Sequence, residues 1–412
     1  MPNQFTKDLE IMFENLIEGF DAACVMSKAV ETSYPNATSM QRANDVFYRP
    51  QSYRTAIQTG VDISGGSSTD LIQRQVPTTF RTPDNVRYEM NFLQTRDPLH
   101  YERAGQAAAV DLAANIEANL LSTVALQAAI VVKKVGALTW DDGATAEALM
   151  LSRGVPAGRS RKMFLNPFDY KDIAKDLGNR AYIGDLAKDA YIRSKVPDIA
   201  TFETFRTDTL YNLAATGTVS GTTVSGAQSF TPSAMTGDLP TDNRRMTLVV
   251  AGANIANIKN GDSFTIGAAG TAVNAVHNID KTDTGQLMTF RVISGGGTAN
   301  LVITPAIIAT GPYKNVTQQA GAGAAITFLN TATKPVNAFF ADGAVTLDFG
   351  DINVNSDQGV KWMKATTKQG VPIAMGYSQA LLTGVTTVRC VTRYATTVLQ
   401  PEMCGVILAN QV

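Results

Sequence analysis

The chain has 412 residues, enough to bury a sizeable core and to divide into about two or three domains. Hydrophobic residues make up 44% and charged residues 17% of the sequence, a globular composition that excludes intrinsic disorder. Lys and Arg number 35 against 36 Asp and Glu, so the formal net charge is −1. A dedicated nucleic-acid-binding protein needs clustered cations and is therefore not indicated.

Cysteine use and the first residues indicate a cytoplasmic protein. Cys24, Cys390 and Cys404 are an odd and sparse set, which suits a reducing compartment and predicts no structural disulfide. Hydrophobic runs surround Cys390 and Cys404, so both are expected to be buried. Residues 1–20 carry acids and lack the basic start of a signal peptide. No apolar run is predicted to span a bilayer, so we expect no membrane partner.

The first segment is predicted to be an amphipathic helix, because its apolar residues recur every three or four positions. Its acidic residues fall on another face at a similar spacing. This acidic face is either a solvated surface or a docking strip for a basic partner helix. The apolar stripe consists of Leu9, Phe13, Leu16, Phe20 and Cys24, and the acidic face consists of Glu10, Glu14, Glu18 and Asp21.

Residues 39–82 change to short polar runs and turns. Their apolar residues are widely separated, so this stretch cannot make a core of its own. The pattern predicts an extended hairpin that lies on another part of the assembly. The separated apolar residues are Phe47, Ile57, Val61 and Ile63, and the turn residues are Gly60, Gly65, Gly66, Ser67 and Ser68.

The strongest predicted helix follows. Asp97 can cap its first free amides, Pro98 suits its first position, and only Gly105 interrupts a helix-favouring run to about Lys134. At about 1.5 Å per residue such a helix is roughly 50 Å long and serves as a strut across a domain. Its apolar stripe consists of Ala109, Leu112, Ala113, Ile116, Leu120 and Val124.

Residues 144–212 mix helix and strand, and a different composition follows them. No glutamate occurs between Glu203 and Glu402, and residues 214–333 include only eleven charged residues. Short apolar runs separated by Gly and Asn turns predict an all-β module, a small barrel or sandwich inserted into a host domain. Helices are predicted at 147–151 and 167–176, and strands at 163–165, 247–250, 289–293, 301–304, 338–347, 359–365, 386–394 and 403–408.

No pattern of catalytic, metal-binding or cofactor-binding residues stands out. The two histidines, His100 and His277, lie in unlike regions without close Cys or His neighbours. The glycines at 295–297 sit between two strand-like runs and predict a hairpin turn instead of a phosphate loop. Asp141 and Asp142 precede Gly143 and are interpreted as a turn. We therefore expect neither an enzyme nor a cofactor.

Several ordered motifs resemble the coat-protein family of the short-tailed phages typified by phage P-22, whose core is the HK-97 fold. They run through nearly the whole chain, more loosely in its last third. The most specific is Thr223 to Phe230, which stands where that family's inserted β-domain begins. The others are residues 39–42, 83–85, 112–117, 150–153, 166–171, 242–244, 261–262, 303–305 and 337–342.

The resemblance implies an α+β fold of the HK-97 capsid type with an inserted all-β barrel. Residues 1–43 would be an N-terminal arm, 44–82 an extended loop, and 83–143 a peripheral domain with the long helix as its spine. Residues 144–221 would be axial and peripheral segments. Residues 222–333 would be the inserted β-barrel, and 334–412 the axial domain and the return to the peripheral domain.

The implied function is a virion shell. The chain would assemble with itself as pentamers and hexamers, with a scaffolding protein and with a portal, and would then enclose double-stranded DNA. The acidic face of the first helix would receive the scaffold. Asp238, Asp242, Arg244 and Arg245 would form a self-complementary loop between capsomers.

Two further possibilities stay open from the sequence. The basic cluster Arg159, Arg161 and Lys162 is either a solvated loop or an interior patch that meets DNA. The alternatives to a phage coat protein are an encapsulin-like compartment shell, a β-rich phage decoration or binding protein, and a cytoplasmic enzyme with an unrecognised carboxylate site.

Overall fold

A computed structural model describes most of the chain, and it divides the chain into two compact units built from non-contiguous pieces. The first unit comprises residues 1–47, 78–120 and 346–397, and the second comprises 48–77, 121–345 and 398–412. The described residues are 4–33, 46–55, 60–62, 64, 71–91, 94, 98–179, 196, 198–267, 271–352, 360–380 and 382–412.

Helices are few, and their apolar stripes are buried. All five stripe residues of the first helix and all six of the long helix are buried, which confirms both predicted periodicities. The α-helices of the described chain are α1 Gln4–Ala23, α2 Pro98–Gln127, α3 Trp140–Ser152 and α4 Pro167–Asn179. The 3-10 turns are Ser27–Ala29, Ile255–Asn257 and Pro401–Met403.

In the first unit, α1 and α2 cross at small residues. A Cβ atom added to Gly105 of α2 would lie 2.4 Å from the carbonyl oxygen of Met12 in α1. A Cβ atom on Gly19 would lie 3.2 Å from the Cβ of Ala109. Gly105, which interrupts the helix-favouring run, therefore allows the two backbones to approach each other.

Two sheets complete the first unit. In the first, β20 lies between β1, to which it is parallel, and β24. The other is antiparallel throughout, in the order β21-β22-β23-β4. The strands are β1 Glu31–Ser33, β4 Asp84–Met90, β20 Val345–Phe349, β21 Lys361–Thr366, β22 Pro372–Gln379, β23 Thr386–Thr392 and β24 Tyr394–Val398.

The second unit has a central mixed sheet in the order β5-β25-β19-β6-β7, with β8 paired to the start of β19. Strand β19 is antiparallel to both neighbours, and the outer pairs β25–β5 and β6–β7 are parallel. The strands are β5 Ile130–Val135, β6 Arg161–Leu165, β7 Phe202–Arg206, β8 Asn212–Leu213, β19 Lys334–Ala341 and β25 Cys404–Gln411. A separate ribbon pairs β2 Val46–Pro50 with β3 Gln75–Thr79.

The Gly- and Thr-rich segment forms an all-β module, as predicted. Its main sheet has the strand order β18 (Ile326–Phe328), β13 (Ser263–Ile266), β16 (Thr289–Ser294), β17 (Asn300–Thr304), β12 (Met246–Ala251) and β9 (Thr223–Val224). Val224 N–H donates to Ala324 O at 2.9 Å and Ile326 N–H to Thr222 O at 3.0 Å, which closes the sheet into a barrel. A hydrophobic core that includes Phe264, Phe290 and Phe328 fills this barrel.

The glycines at 295–297 lie in the hairpin between two neighbouring strands of this module, which confirms the predicted turn. The module's strands are β9 Thr223–Val224, β10 Met235–Thr236, β11 Leu239–Pro240, β12 Met246–Ala251, β13 Ser263–Ile266, β14 Asn274–Val276, β15 Asp283–Leu287, β16 Thr289–Ser294, β17 Asn300–Thr304 and β18 Ile326–Phe328.

The end of the long helix differs from the prediction. Helix α2 ends at Gln127 instead of about Lys134, and β5 begins at Ile130. The β-branched residues from Ile130 to Val132 pair with the parallel strand β25, and this sheet pairing overrides the local helical pattern. At 30 residues α2 is about 45 Å long.

The interpretation of Asp141 and Asp142 as a turn is wrong. Both lie in the first turn of α3, where Thr139 N–H donates to Asp142 Oδ2 at 2.9 Å and forms part of a capping box. Acidic side chains are favourable at this position because they accept from unpaired amides and face the positive end of the helix dipole.

Several sequence features lie outside the described residues. These are the expected cap Asp97, the motif at 39–42, and the loop residues Ile57, Ile63, Gly65, Gly66, Ser67 and Ser68.

Candidate assembly surfaces

The acidic face of α1 has three exposed carboxylates. Glu10, Glu14 and Glu18 are exposed on the side of the helix opposite its buried apolar stripe. Asp21 differs from them, because it is half-buried and its Oδ2 accepts the backbone N–H of Lys368 at 3.2 Å. We call Glu10, Glu14 and Glu18 the acidic strip.

The chain that follows α1 is held by one buried carboxylate of α2. Glu117 is 3% exposed and accepts the backbone N–H groups of Val25, Met26 and Ser27. These amides follow the end of α1, so Glu117 fixes where that helix ends relative to α2. The sequence did not predict a role for Glu117, because its partners lie about ninety residues away in the chain.

Of the four residues expected in a self-complementary loop, only Asp238 is exposed at the tip of a hairpin. It lies between β10 and β11, next to Gly237 with a φ of 64°. This hairpin, residues 235–240, is fully or partly exposed.

The other three residues of that loop make an internal ion-pair cluster. Arg244 is 4% exposed, donates to both oxygens of Asp242 at 2.8 Å and also donates to Val398 O. Arg245 Nε lies 3.6 Å from Asp242 Oδ2. Burial opposes ionisation of Asp242, but the hydrogen bonds and charges of Arg244 and the charge of Arg245 outweigh it and lower its pKa.

The three basic residues at 159–162 differ in exposure, and Arg159 lies in an exposed bend. Arg161 begins strand β6, is 2% exposed, and its Nη1 lies 3.1 Å from Glu147 Oε1. Lys162 Nζ lies 3.3 Å from Asp342 Oδ1, and Arg159 donates to Asp342 O. Because two of the three cations are paired and one is buried, the structure does not present them together as a patch for DNA.

A second, partly buried ionic cluster was not expected from the sequence. Glu402 Oε2 lies 3.4 Å from Arg54 Nη2 and accepts from Asn278 at 3.2 Å, and its Oε1 accepts from Asn315 at 3.4 Å. Burial raises the pKa of Glu402, but the charges of Arg54 and Arg74 outweigh it, so the pKa is lowered. Glu402 thus joins three separate stretches of the second unit.

The histidines and cysteines are the remaining candidates for a metal-binding or catalytic role. Within them, no group of three or more His, Cys, Asp or Glu side chains could hold a metal ion. His100 is exposed in the first turn of α2, and His277 Nδ1 lies 2.6 Å from Asp280 Oδ1. Cys24, Cys390 and Cys404 are free and buried, which confirms the burial expected for Cys390 and Cys404. Burial raises the pKa of the Cys24 thiol to about 11 and that of Cys390 to about 12.

One helix of the described residues is long and apolar enough to span a membrane, contrary to the expectation from the sequence. By length and hydropathy alone, residues 99–127 of α2 could cross a bilayer, although half of its most apolar 18-residue stretch is buried inside the protein. A helix in the core of a protein can have the same length and hydropathy, so this feature is weak support for a membrane role.

These features define a class of protein. The chain is an α+β protein with a long buried helix, an added β-barrel and exposed charged surfaces, and its charged clusters make structural contacts. Residues 1–409 match the family described as "P22 coat protein - gene protein 5". The chain belongs to this family of phage coat proteins, which confirms the resemblance seen in the sequence.

Solved capsid structures show a more distant likeness. The capsid of cyanophage P-SCSP1u is 11% identical, with 94% of this chain and 89% of that chain covered and a TM-score of 0.45. The mature capsid of bacteriophage PhiM1 is 9% identical, with coverages of 93% and 86% and a TM-score of 0.45. A virus-like particle from Pyrococcus furiosus is 9% identical, with coverages of 97% and 98% and a TM-score of 0.35. The assignment rests on the family match.

Proposed function

We propose that this coat protein is the major capsid protein of a tailed phage, which self-assembles with a scaffolding protein and a portal into an icosahedral procapsid. The family match over residues 1–409 carries this proposal. Assembly takes place in the host cytoplasm from pentamers and hexamers of the chain. The shell then expands and encloses double-stranded DNA without reading its sequence.

Each part of the chain has a proposed place in this shell. Residues 1–43 and 44–82 reach neighbouring subunits as an arm and an extended loop. Residues 83–143 and 144–221 build the peripheral domain and the axial segments, and 334–412 complete them. Residues 222–333 add the inserted barrel. Contacts spread over several neighbours are individually weak, so misplaced subunits can dissociate before the shell closes.

The acidic strip of α1 is the proposed docking surface for the scaffolding protein. Its carboxylates are spaced by four residues, which places them about 6 Å apart along one helix face. A partner helix with Lys or Arg at the same spacing matches this surface. Exposed ion pairs contribute only about 0–1 kcal/mol each, so the strip gives a reversible contact that a scaffold can leave.

Charge reversal on the strip tests this proposal. The double variant Glu14→Lys and Glu18→Lys replaces two attractive contacts with repulsive ones, so we expect scaffold-dependent shells to fall at least about tenfold. The measurement is the yield of procapsids by negative-stain electron microscopy after subunit and scaffold are mixed. Glu102→Lys, which reverses an exposed charge on α2, serves as the matched control and should leave the yield unchanged.

Three outcomes contradict the proposal in different ways. Unchanged yield with the double variant removes the strip from scaffold docking. Regular shells from the unmodified subunit without any scaffold support an encapsulin-like compartment. A subunit that stays monomeric at high concentration with scaffold present supports a decoration or binding protein.

A further inference from the structure

An unusual row of side chains crosses one face of the four-stranded sheet of the first unit. Trp362 pairs with Gly376, Gly376 with Arg389, and Arg389 with Arg87, each directly opposite its neighbour in the ladder. Residues directly opposite share one face of a sheet, so the indole and both guanidinium groups project to the same side. We call these four residues the arginine row.

The two arginines of the row are like charges placed opposite each other, an arrangement that destabilises a sheet by itself. Arg389 is exposed, and its Nε donates to Asn85 Oδ1 at 2.8 Å. Arg87 is exposed on 67% of its side chain and contacts Glu89 through Nη2. Neighbouring side chains therefore orient both guanidinium groups, and no carboxylate among the described residues pairs with Arg389.

Trp362 occupies the other end of the row. A Cβ atom on Gly376 would lie 2.8–2.9 Å from three atoms of the six-membered ring of the indole, which shows that this ring lies flat across the glycine. One face of the ring is thus covered by the sheet, and Trp362 as a whole is only partly buried. A groove of about 480 Å³ runs along this face, and all four residues of the arginine row line it.

We propose that the arginine row binds one or two nucleotides of a nucleic-acid strand. Two guanidinium groups take phosphate oxygens, for which their planar forks of donors are suited. The indole takes an unpaired base by stacking, or a sugar edge where the strand is in a duplex. Neighbouring strands are about 5 Å apart, so Trp362 lies about 10 Å from Arg389, within the reach of an arginine side chain and one nucleotide.

An acidic protein segment is the competing ligand, and the aromatic end of the row favours the nucleotide. Carboxylates satisfy the two arginines, but they give no role to an indole ring held flat by a glycine. The inference deepens the proposed function, since enclosed DNA is the nucleic acid that the row meets in a capsid. It is tested on the purified subunit, so its failure is separate from any failure of shell assembly.

The test uses the fact that the chain has two tryptophans, Trp140 and Trp362. In a Trp140→Phe background, Trp362 is the remaining indole, and its fluorescence is followed while a 12-nucleotide oligo-dT is added. We expect saturable quenching with a dissociation constant of about 1–100 µM at low salt, and a slope of about −1.4 in a plot of log affinity against log salt. Absence of saturable quenching up to about 1 mM overturns the proposal.

Substitutions then separate the two parts of the site. Arg87→Ala and Arg389→Ala should each weaken oligonucleotide binding about tenfold, measured by anisotropy of a labelled strand. Trp362→Leu should weaken it about 5- to 100-fold, while Trp362→Phe retains most of it. Lys361→Ala is the matched control, because it removes a charge from the same strand on the opposite face and should change nothing.

Two further ligands distinguish the possible sources. A duplex of equal length should bind more weakly than oligo-dT and lose less with Trp362→Leu, and thymidine monophosphate should bind more weakly than both. A synthetic peptide of residues 4–23, which carries the acidic strip, should not compete. Direct binding of this peptide, lost in Arg87→Ala, together with no binding of oligo-dT, assigns the row to an acidic protein partner and overturns the proposal. Thermal unfolding of each variant verifies that it is folded.

Discussion

At the scale of single residues, charged side chains in this protein divide sharply into exposed and internal ones. Glu10 and Glu14 are exposed, whereas Arg161 and Arg244 are almost completely buried and paired. All four are charged residues, so charge alone does not separate them. Whether a charged side chain is exposed or internal depends on its partner. Arg161 pairs with Glu147 because folding brings the start of strand β6 close to helix α3.

Glu402 is expected to make the free energy of unfolding depend on pH. Its folded pKa lies below the ordinary value of 4.5, so the folded state holds this proton less tightly than the unfolded state. The stabilisation from Glu402 is therefore complete above about pH 4.5 and is lost as pH falls through the lower, folded pKa. We expect Glu402→Gln to reduce the free energy of unfolding by about 1–3 kcal/mol at pH 7. The difference from the unmodified protein should shrink as the pH falls below about 4.5.

Urea unfolding of the isolated subunit between pH 3 and pH 8 measures this effect. Glu203→Gln, at an exposed position of β7, provides a control that should follow the unmodified protein at every pH. A Glu402→Gln variant whose stability differs by the same amount at pH 3 and at pH 7 would show that the lowered pKa is not the cause.

At the scale of elements, periodicity in the sequence predicted which segments form helices α1 and α2 but did not predict where α2 ends. The stripes of α1 and α2 follow from apolar residues at three- and four-residue steps, and both are buried. The end of α2 depends on β25, which lies almost three hundred residues further along and pairs with β5. A local pattern contains no information about such a partner.

Gly105 provides a test of the crossing between α1 and α2. Alanine favours helix over glycine by about 1 kcal/mol, so Gly105→Ala would stabilise an isolated helix. In the protein its Cβ atom would lie 2.4 Å from Met12 O, and the two backbones must separate. We expect Gly105→Ala to lower the free energy of unfolding by about 1–3 kcal/mol.

Thermal unfolding followed by circular dichroism is the measurement for this substitution. At Gly158 an added Cβ atom would meet nothing within 4 Å, so Gly158→Ala is a control with the same chemical change and should be neutral or slightly stabilising. Equal effects of the two substitutions would show that the helix crossing is not tightly packed at Gly105.

At the scale of the whole molecule, stability and assembly are expected to depend on different residues of the loop around the β10–β11 hairpin. Asp238→Lys changes an exposed tip, so the unfolding temperature should stay the same while shells become open or wrongly sized. Arg244→Glu places a carboxylate beside Asp242 in a buried site, and we expect it to cost about 3–5 kcal/mol of subunit stability.

Calorimetry of the subunits and electron microscopy of the assembled particles separate these two effects. Asp111→Lys reverses an exposed acid of α2 and controls for a change in net charge alone. Normal particles from Asp238→Lys would remove the hairpin from contacts between capsomers.

The sequence by itself determined the class of protein, the two amphipathic helices, the β-module with its hairpin turn, and the family. These follow from apolar periodicity, from local composition and from ordered motifs, all of which are properties of neighbouring residues. Only the tertiary structure decided which charges are surfaces and which are internal contacts. Glu117 and Glu402 contact partners distant in the chain, Arg161 pairs with Glu147, and Arg244 donates to the carbonyl of Val398 as well as to nearby Asp242. A charge removed from water is stable only where folding brings its partner within hydrogen-bond distance.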